Sequence, residues 1–412
     1  MKLLTFLGVG PYGETEYFWK DKSCLTCYAP VASCAFLQPS QLIVFTTEKA
    51  KEAHGSLLAE KISIPLEFIS VPDGKDENEL WKVFSQVTNS VKTEEEVAFD
   101  VTHGLRSFPL VGLLVAAYLR ASLDVELKAV LYGAYDVRDQ SVVPARTPMF
   151  DLTPMISLLK WASATDQFVQ TGNANRLGEL LNPTKSQSGV LYEASNTLRT
   201  ISQAAAMCQP FTLMQEVPKL EITLQEAENE LNAAVPPFGA LREKIVTAYS
   251  QFQDDGKDIF KQLQTEFRLV EWYYGKGQLI QTATLAREWL IDAITYRLGE
   301  KIDFALDYRK PFEEAISGVA LIGKPHPQER DRLFTENDLN RFGLQVQTWK
   351  NAETLKQLWT DLKNVRNPLD HAEHQRKREQ EKSLIALNKL QTKMNEKVMP
   401  SLRQVAREWN LS

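Results

Sequence analysis

Five short apolar runs punctuate the first third of the chain: 2–8, 41–47, 66–71, 97–102 and 127–132. Each is nearly continuous rather than alternating, as strands are when a parallel sheet is covered on both faces. Helical periodicity falls between them, at about 48–61, 76–91 and 106–122. Strand–helix–strand alternation predicts a doubly wound, Rossmann-like α/β domain around a central parallel sheet. Residues 14–28 alternate around Lys20-Asp21-Lys22 and read as a β-hairpin inserted after the first strand. From about Met155 the pattern turns helical. Residues 172–189, rich in Gly, Asn and Ser with Pro183, read as a loop or a break between helices. Residues 190–265 read as two or more amphipathic helices interrupted at Val235-Pro236-Pro237-Phe238-Gly239. A further helical unit starts near Ile259 and ends in a charged stretch, 374–396. The expected class is α/β plus all-α, with domains at 1–155, 156–264 and 265–412.

Composition narrows the picture. A chain of 412 residues predicts two or three domains, and 43% hydrophobic with 24% charged residues supplies an ordinary core to each. The net charge of −6 provides no global basic field, so any nucleic-acid contact is a local patch of Lys and Arg. MKLLTFLGVG has no long apolar core and no small-residue cleavage site, and the strongest apolar run, Phe108 to Leu119, falls short of the roughly 20 residues of a membrane span. A cytoplasmic protein with no membrane partner is expected. Cys24 and Cys27 form a C-x-x-C, but no second pair stands at zinc-ribbon spacing and His54 lies across a strand. With Cys34 and Cys208 they are expected to be reduced thiols, without a metal.

Ligands of such sheets bind at the carboxyl ends of the strands, near the switch in strand order. Gly8-Val9-Gly10-Pro11-Tyr12-Gly13 follows the first strand and matches G-x-G-x-x-G. Pro11 and Tyr12 crowd the turn, Glu14 and Glu16 stand where pyrophosphate would sit, and no acid closes the second strand, so a dinucleotide is disfavoured. By itself this loop reads equally as a tight turn. The loop Asp100-Val101-Thr102-His103-Gly104-Leu105-Arg106-Ser107 is richer. Thr102, His103, Arg106 and Ser107 converge on a helix N-terminus, where free N–H groups and the helix dipole favour phosphate, and Gly104 permits positive φ or close approach.

Asp100-x-Thr102-His103-Gly104 reproduces the D-x-T-H-G motif of CRISPR-associated CARF proteins, and LGVG with Thr15-Glu16-Tyr17 and Tyr132-Gly133-Ala134 also resemble that family. The resemblance implies a dimer that binds cyclic oligoadenylate across its interface. Carried over residue by residue, it assigns ligand contacts to Gly8, Gly10, Thr102, His103, Gly104 and Arg106, and Tyr12 and Ser107 complete the candidate set from the same two loops.

Near the other end stands Asn364-Val365-Arg366-Asn367-Pro368-Leu369-Asp370-His371. On a straight helix Arg366 and His371 would diverge by about 140°. Proline suits the first helical position, so Asn367 is expected as N-cap, Asp370 as its capping-box partner, Arg366 outside the helix and His371 in its first turn. A helix N-terminus keeps imidazole neutral, able to take a proton from a ribose 2′-OH while Arg366 holds the phosphate. That chemistry is metal-independent and leaves a 2′,3′-cyclic phosphate and a 5′-OH. The spacing resembles the R-x4–6-H motif of HEPN ribonucleases, the usual companions of CARF domains, and Trp272 to Leu298 resembles the first long helix of that fold, with Glu271, Arg287 and Glu288 as inward polar groups. His374 and His326 read as solvated or loop residues, and Arg376-Lys377-Arg378 as a solvated helix face. Together the resemblances, to CARF–HEPN ribonucleases of type III systems, cover 1–150 and 265–412. They imply an endoribonuclease of single-stranded RNA with Arg366, Asn367 and His371 at a dimer interface, no cofactor, and an allosteric activator for which cyclic tetra-adenylate is the favoured ring. The alternatives are a CARF regulator without nuclease output and a CARF domain that cleaves its own activator.

Overall fold

The computed structural model describes all residues except 105–106, 232–237, 255, 304, 330 and 371–382, and within helices it leaves aside the side chains of 109, 306, 368–370 and 383–387. The chain divides into two compact units, Met1–Ala162 and Ser163–Ser412.

Unit one is built on eight strands: β1 (Lys2–Leu7), β2 (Thr15–Trp19), β3 (Lys22–Thr26), β4 (Gln41–Thr46), β5 (Leu66–Ser70), β6 (Glu96–Asp100), β7 (Glu126–Gly133) and β8 (Arg146–Asp151). Their order is β3-β2-β8-β7-β6-β1-β4-β5. The five strands legible as apolar runs, β5-β4-β1-β6-β7, are parallel neighbours. The expected hairpin is present as antiparallel β2 and β3, joined to the sheet through β8, which runs antiparallel to β7. Strand order reverses between β1 and β6.

Side chains alternate along each strand, so every central strand feeds two cores. Leu4, Phe6, Ile43 and Phe45 pack on one face with Val83 and Val87 of α3 (Glu77–Asn89) and Phe108, Val115 and Leu119 of α4 (Ser107–Ser122). Leu3, Leu7, Leu42 and Val44 pack on the other with Ala29, Ala32 and Phe36 of α1 (Ala29–Leu37) and Leu58 of α2 (Glu48–Ala59). Thr47 and Asp76 cap α2 and α3 by accepting from Ala50 and Glu79 N–H groups.

Unit two is helical in its described residues. It carries the second half of α5 (Thr153–Thr171), then α6 (Asn175–Leu181), α7 (Val190–Ala206), α8 (Pro210–Leu231), α9 (Phe238–Tyr249), α10 (Ile259–Gly275), α11 (Leu279–Arg297), α12 (Leu306–Leu321), α13 (Arg341–Gln347), α14 (Ala352–Asp370), α15 (Ser383–Lys393) and α16 (Met399–Glu408). The stretch read as a loop, 172–189, contains α6. The stretch likened to one long helix is two: α10 ends at Gly275, Gly277 adopts φ +69°, and α11 begins at Leu279. The fully buried Trp289 ties these two helices by donating its indole N–H to the Leu263 carbonyl (2.8 Å). Among the described residues no helix is long and apolar enough to cross a membrane.

Candidate functional site

The loops after β1 and β6 meet at the reversal of strand order. A Cβ on Gly8 would lie 3.4 Å from the Gly104 backbone, so the two loops run close together there. Gly104 has φ +116°, and a Cβ there would approach Phe6 Cβ to 3.0 Å. Tyr12 folds back over the first loop: Gly8 N–H donates to its hydroxyl (2.8 Å), which donates to the Gly8 carbonyl (3.0 Å). Burial pushes the Tyr12 phenol up to about 12, so it remains a donor. The Tyr12 ring lies 4.0 Å from the His103 ring, centroid to centroid.

His103 reaches from the loop after β6 to the start of α1. It is buried, and its Nε2 accepts the Ala29 N–H at the start of α1 (3.0 Å). Burial, with His54 nearby, drives it down to about 3, so the ring is neutral and carries its proton on Nδ1. Thr102 accepts the Gly133 N–H (2.8 Å), joining β6 to β7. A Cβ on Gly133 would stand 3.0 Å from Thr102 Cγ2 and 2.8 Å from Tyr17, which is why Tyr132-Gly133-Ala134 carries glycine. The buried Asp100 carboxylate accepts the Thr102 N–H (3.0 Å), and burial raises it to about 6 against that hydrogen bond. Ser107 opens α4. Gly10 is exposed, with its carbonyl accepting from His54 Nε2 (2.9 Å), while the Tyr28 hydroxyl donates to His54 Nδ1 (3.1 Å). Arg106 lies outside the described residues. Gly8, Tyr12, His103 and Gly104 are thus brought together. His54 and Tyr28, unforeseen as members, complete the wall from α2 and the residue before α1.

The second constellation stands in unit two. On α14, Trp359, Leu362, Lys363, Arg366 and Asn367 fall at i, i+3, i+4, i+7 and i+8, one helix face, and line a pocket of about 120 Å³ with Arg287 of α11 and Glu313 and Ser317 of α12. Arg287 is held on three sides. Its Nη1 donates to Glu288 (2.5 Å), its Nη2 to Glu313, and its guanidinium lies 5.1 Å from the Trp359 ring centre. Behind the pocket Arg309 bridges Glu288 and Asp292, each at 3.0 Å. Arg287 and Glu288 are inward groups, as expected; Glu271 instead pairs with Arg403 (2.8 and 2.7 Å) on a more exposed face.

The expected helix start at Pro368 is corrected. α14 runs unbroken from Ala352 to Asp370, so Asn367 is an interior residue and not an N-cap, and Arg366 lies within the helix. Proline costs the Asn364 carbonyl its partner, but Leu355, Leu358, Leu362 and Val365 form a continuous buried stripe that keeps the helix intact. Pro218 and Pro311 also sit inside helices of this unit. His371 and His374 lie outside the described residues. His326 is a loop residue whose Nδ1 accepts the Gln328 and Glu329 N–H groups (3.2 and 3.1 Å).

Deeper between α10, α11 and α12 lies Glu266, nearly inaccessible, accepting from Gln262 (3.0 Å). Burial raises its carboxyl to about 8, and that of Asp292, despite its pairing with Arg309, to about 6. A carboxyl whose folded value exceeds its unfolded value of 4.5 stabilises fully below the unfolded value, and the contribution drains away as pH rises through 8. Wild-type thermal stability is therefore expected to fall between about pH 5 and 8, by at most about 1.4 kcal/mol per pH unit for this group. Glu266→Gln should flatten the decline and melt higher than wild type at pH 8.5, read by circular dichroism. Parallel curves for the two proteins would refute it.

An α/β unit with a glycine-lined cradle at its switch point, followed by a helical unit with a cationic pocket, defines a two-part protein with one candidate site in each part. Residues 157–257 match the family model of the CRISPR-associated protein MJ1674, second domain. The chain is 23% identical over 311 residues to CRISPR-associated protein MJ1674 of Methanocaldococcus jannaschii, covering 74% of this chain and 42% of that protein. The match thus spans less than half of the curated relative's length. Among solved structures, Enterococcus italicus Csm6 bound to cyclic hexa-2′-fluoro-hexa-dAMP is similar across 100% of this chain and 99% of that one, at 12% identity and a TM-score of 0.41. Both sequence matches are to a CRISPR-associated protein, the class of protein that D-x-T-H-G resembles. The family match falls on the helical stretch set apart at 156–264, for which no motif had been found.

Proposed function

We propose that the chain is a CARF–HEPN endoribonuclease of type III CRISPR defence, cutting single-stranded RNA without a metal when cyclic oligoadenylate, favoured as the tetra-adenylate, occupies the cradle. The observation that carries this reading is the pocket on α14, where Arg366 and Asn367 share one cavity with Arg287 and Lys363 in a chain of net charge −6. That is the local cationic patch an RNA phosphate requires. Arg366 binds the scissile phosphate and stabilises its developing charge. Asn367 donates to a phosphate oxygen. His371 acts as the base toward the 2′-OH, leaving a 2′,3′-cyclic phosphate and a 5′-OH. Residues 1–155 sense, 156–264 link and 265–412 cut.

The protein works in the cytoplasm as a homodimer or higher homo-oligomer, the second copy supplying a second Arg and His. Leu110, Leu114 and Tyr118 on α4 project into solvent one turn apart and form an apolar ridge for that partner to cover. Activator cleavage through His103 is disfavoured, since its Nε2 is committed to Ala29 and its ring is buried. The test is labelled RNA with and without cyclic tetra- or hexa-adenylate, beside His371→Ala. Stimulated cleavage that His371→Ala abolishes is expected; activator-independent cleavage, or an unaffected variant, would remove the mechanism.

A further inference from the structure

We propose that Arg287 is a second phosphate-binding residue of the α14 pocket, and that Glu313 occupies its place until RNA arrives. The proposal rests on the ribonuclease reading above and extends it to a residue on another helix. Among the described residues the pocket's charged lining is three cations, Arg287, Lys363 and Arg366, against one carboxylate, Glu313. The two partners of the Arg287–Glu313 pair differ in their freedom. The Arg287 side chain is only 16% exposed and is clamped by Glu288 at 2.5 Å and by Trp359 beneath it, so its position is fixed. Glu313 is 45% exposed on the rim and reaches inward to the Nη2 edge, so it can swing out without disturbing packing. A planar guanidinium with one edge anchored and the other held by an exchangeable carboxylate is preorganised for an RNA phosphodiester, which presents the same pair of acceptor oxygens and the same single negative charge. RNA would displace Glu313 as the anion on that edge, and until then the carboxylate screens the pocket from other anions.

This arrangement predicts effects of opposite sign for two residues that touch each other. The probe is a fluorescent single-stranded RNA methylated at every 2′-oxygen, which binds without being cut, titrated by anisotropy into the full chain with cyclic tetra-adenylate. Arg287→Gln should weaken binding about tenfold, as expected for one charge-assisted contact. It should also reduce the slope of log affinity against log salt by about 0.7, the share of one phosphate contact on a single strand. Glu313→Gln should tighten binding several-fold, and Arg287→Lys should keep the salt slope while recovering part of the affinity. If Arg287 and Glu313 merely brace the helices, both glutamine variants will weaken binding together, or neither will change it, and the proposal falls. Arg366→Gln in the same assay separates the two readings. If it loses RNA binding while Arg287→Gln does not, only the present inference fails. If neither variant affects binding, and Arg366→Gln still cuts unmethylated RNA, the reading of the α14 pocket as the ribonuclease site fails.

Discussion

Arg366→Ala is expected to lower activator-stimulated RNA cleavage by about 10²–10³-fold, the usual cost of deleting one group that stabilises transition-state charge. Arg366 sits on the pocket face of α14, one turn beyond Leu362 and beside Asn367, and the buried leucines of that helix are untouched by the change. The fold should therefore survive, and circular dichroism should show an unaltered helical signal. Lysine is expected to restore little, because a point charge cannot reproduce two parallel N–H donors on one phosphate. The measurement is single-turnover cleavage under saturating cyclic tetra-adenylate, so that activator binding is held constant. A loss below about tenfold would mean that Arg366 contributes general charge rather than transition-state stabilisation. Unimpaired cleavage would move the chemistry to another part of the chain.

The architecture was legible where burial dictates composition. The central strands β4, β1, β6 and β7 are continuous apolar runs because both of their faces are covered, and the edge strand β5 also lies where its run stands. What escaped had a weaker local signal. The β8 strand contains Pro148 and pairs antiparallel at the sheet's side, and α1 is apolar all round, so its nine residues show no helical period. The candidate sites were partly legible for the same reason. Gly104 stands out because its φ of +116° and its 3.0 Å approach to Phe6 Cβ favour glycine. His103 was legible as a special residue but not in its partner, since Ala29 lies 74 residues away and donates from the backbone. Arg287, Glu313 and Trp359 come from three helices and share no spacing that a sequence displays. The N-cap expected at Asn367 came from treating proline as decisive. The leucine stripe of α14 outweighs one missing hydrogen bond.

Gly104→Ala should be the most damaging small substitution in the cradle, and Gly10→Ala one of the mildest. At Gly104 the backbone has φ +116°, a region that costs an L-residue roughly 1–3 kcal/mol. Its new methyl would stand 3.0 Å from Cβ of Phe6, which is fully buried and cannot give way. The loop must therefore shift, and Phe108 Cβ stands only 3.4 Å from the same new methyl. Unit one should melt several degrees lower. The activator concentration for half-maximal cleavage should rise at least about tenfold, the equivalent of 1.4 kcal/mol of that strain being relieved in the unliganded loop. A Cβ on Gly10 would meet nothing within 4 Å, so that variant should fold normally. Titration of both proteins with cyclic tetra-adenylate, beside thermal melts, separates the possibilities. If Gly104→Ala binds and melts like wild type, the close approach of the two loops is not what shapes the cradle. If Gly10→Ala alone loses binding, the ligand presses on the outer turn of the first loop rather than on the seam between the two glycines.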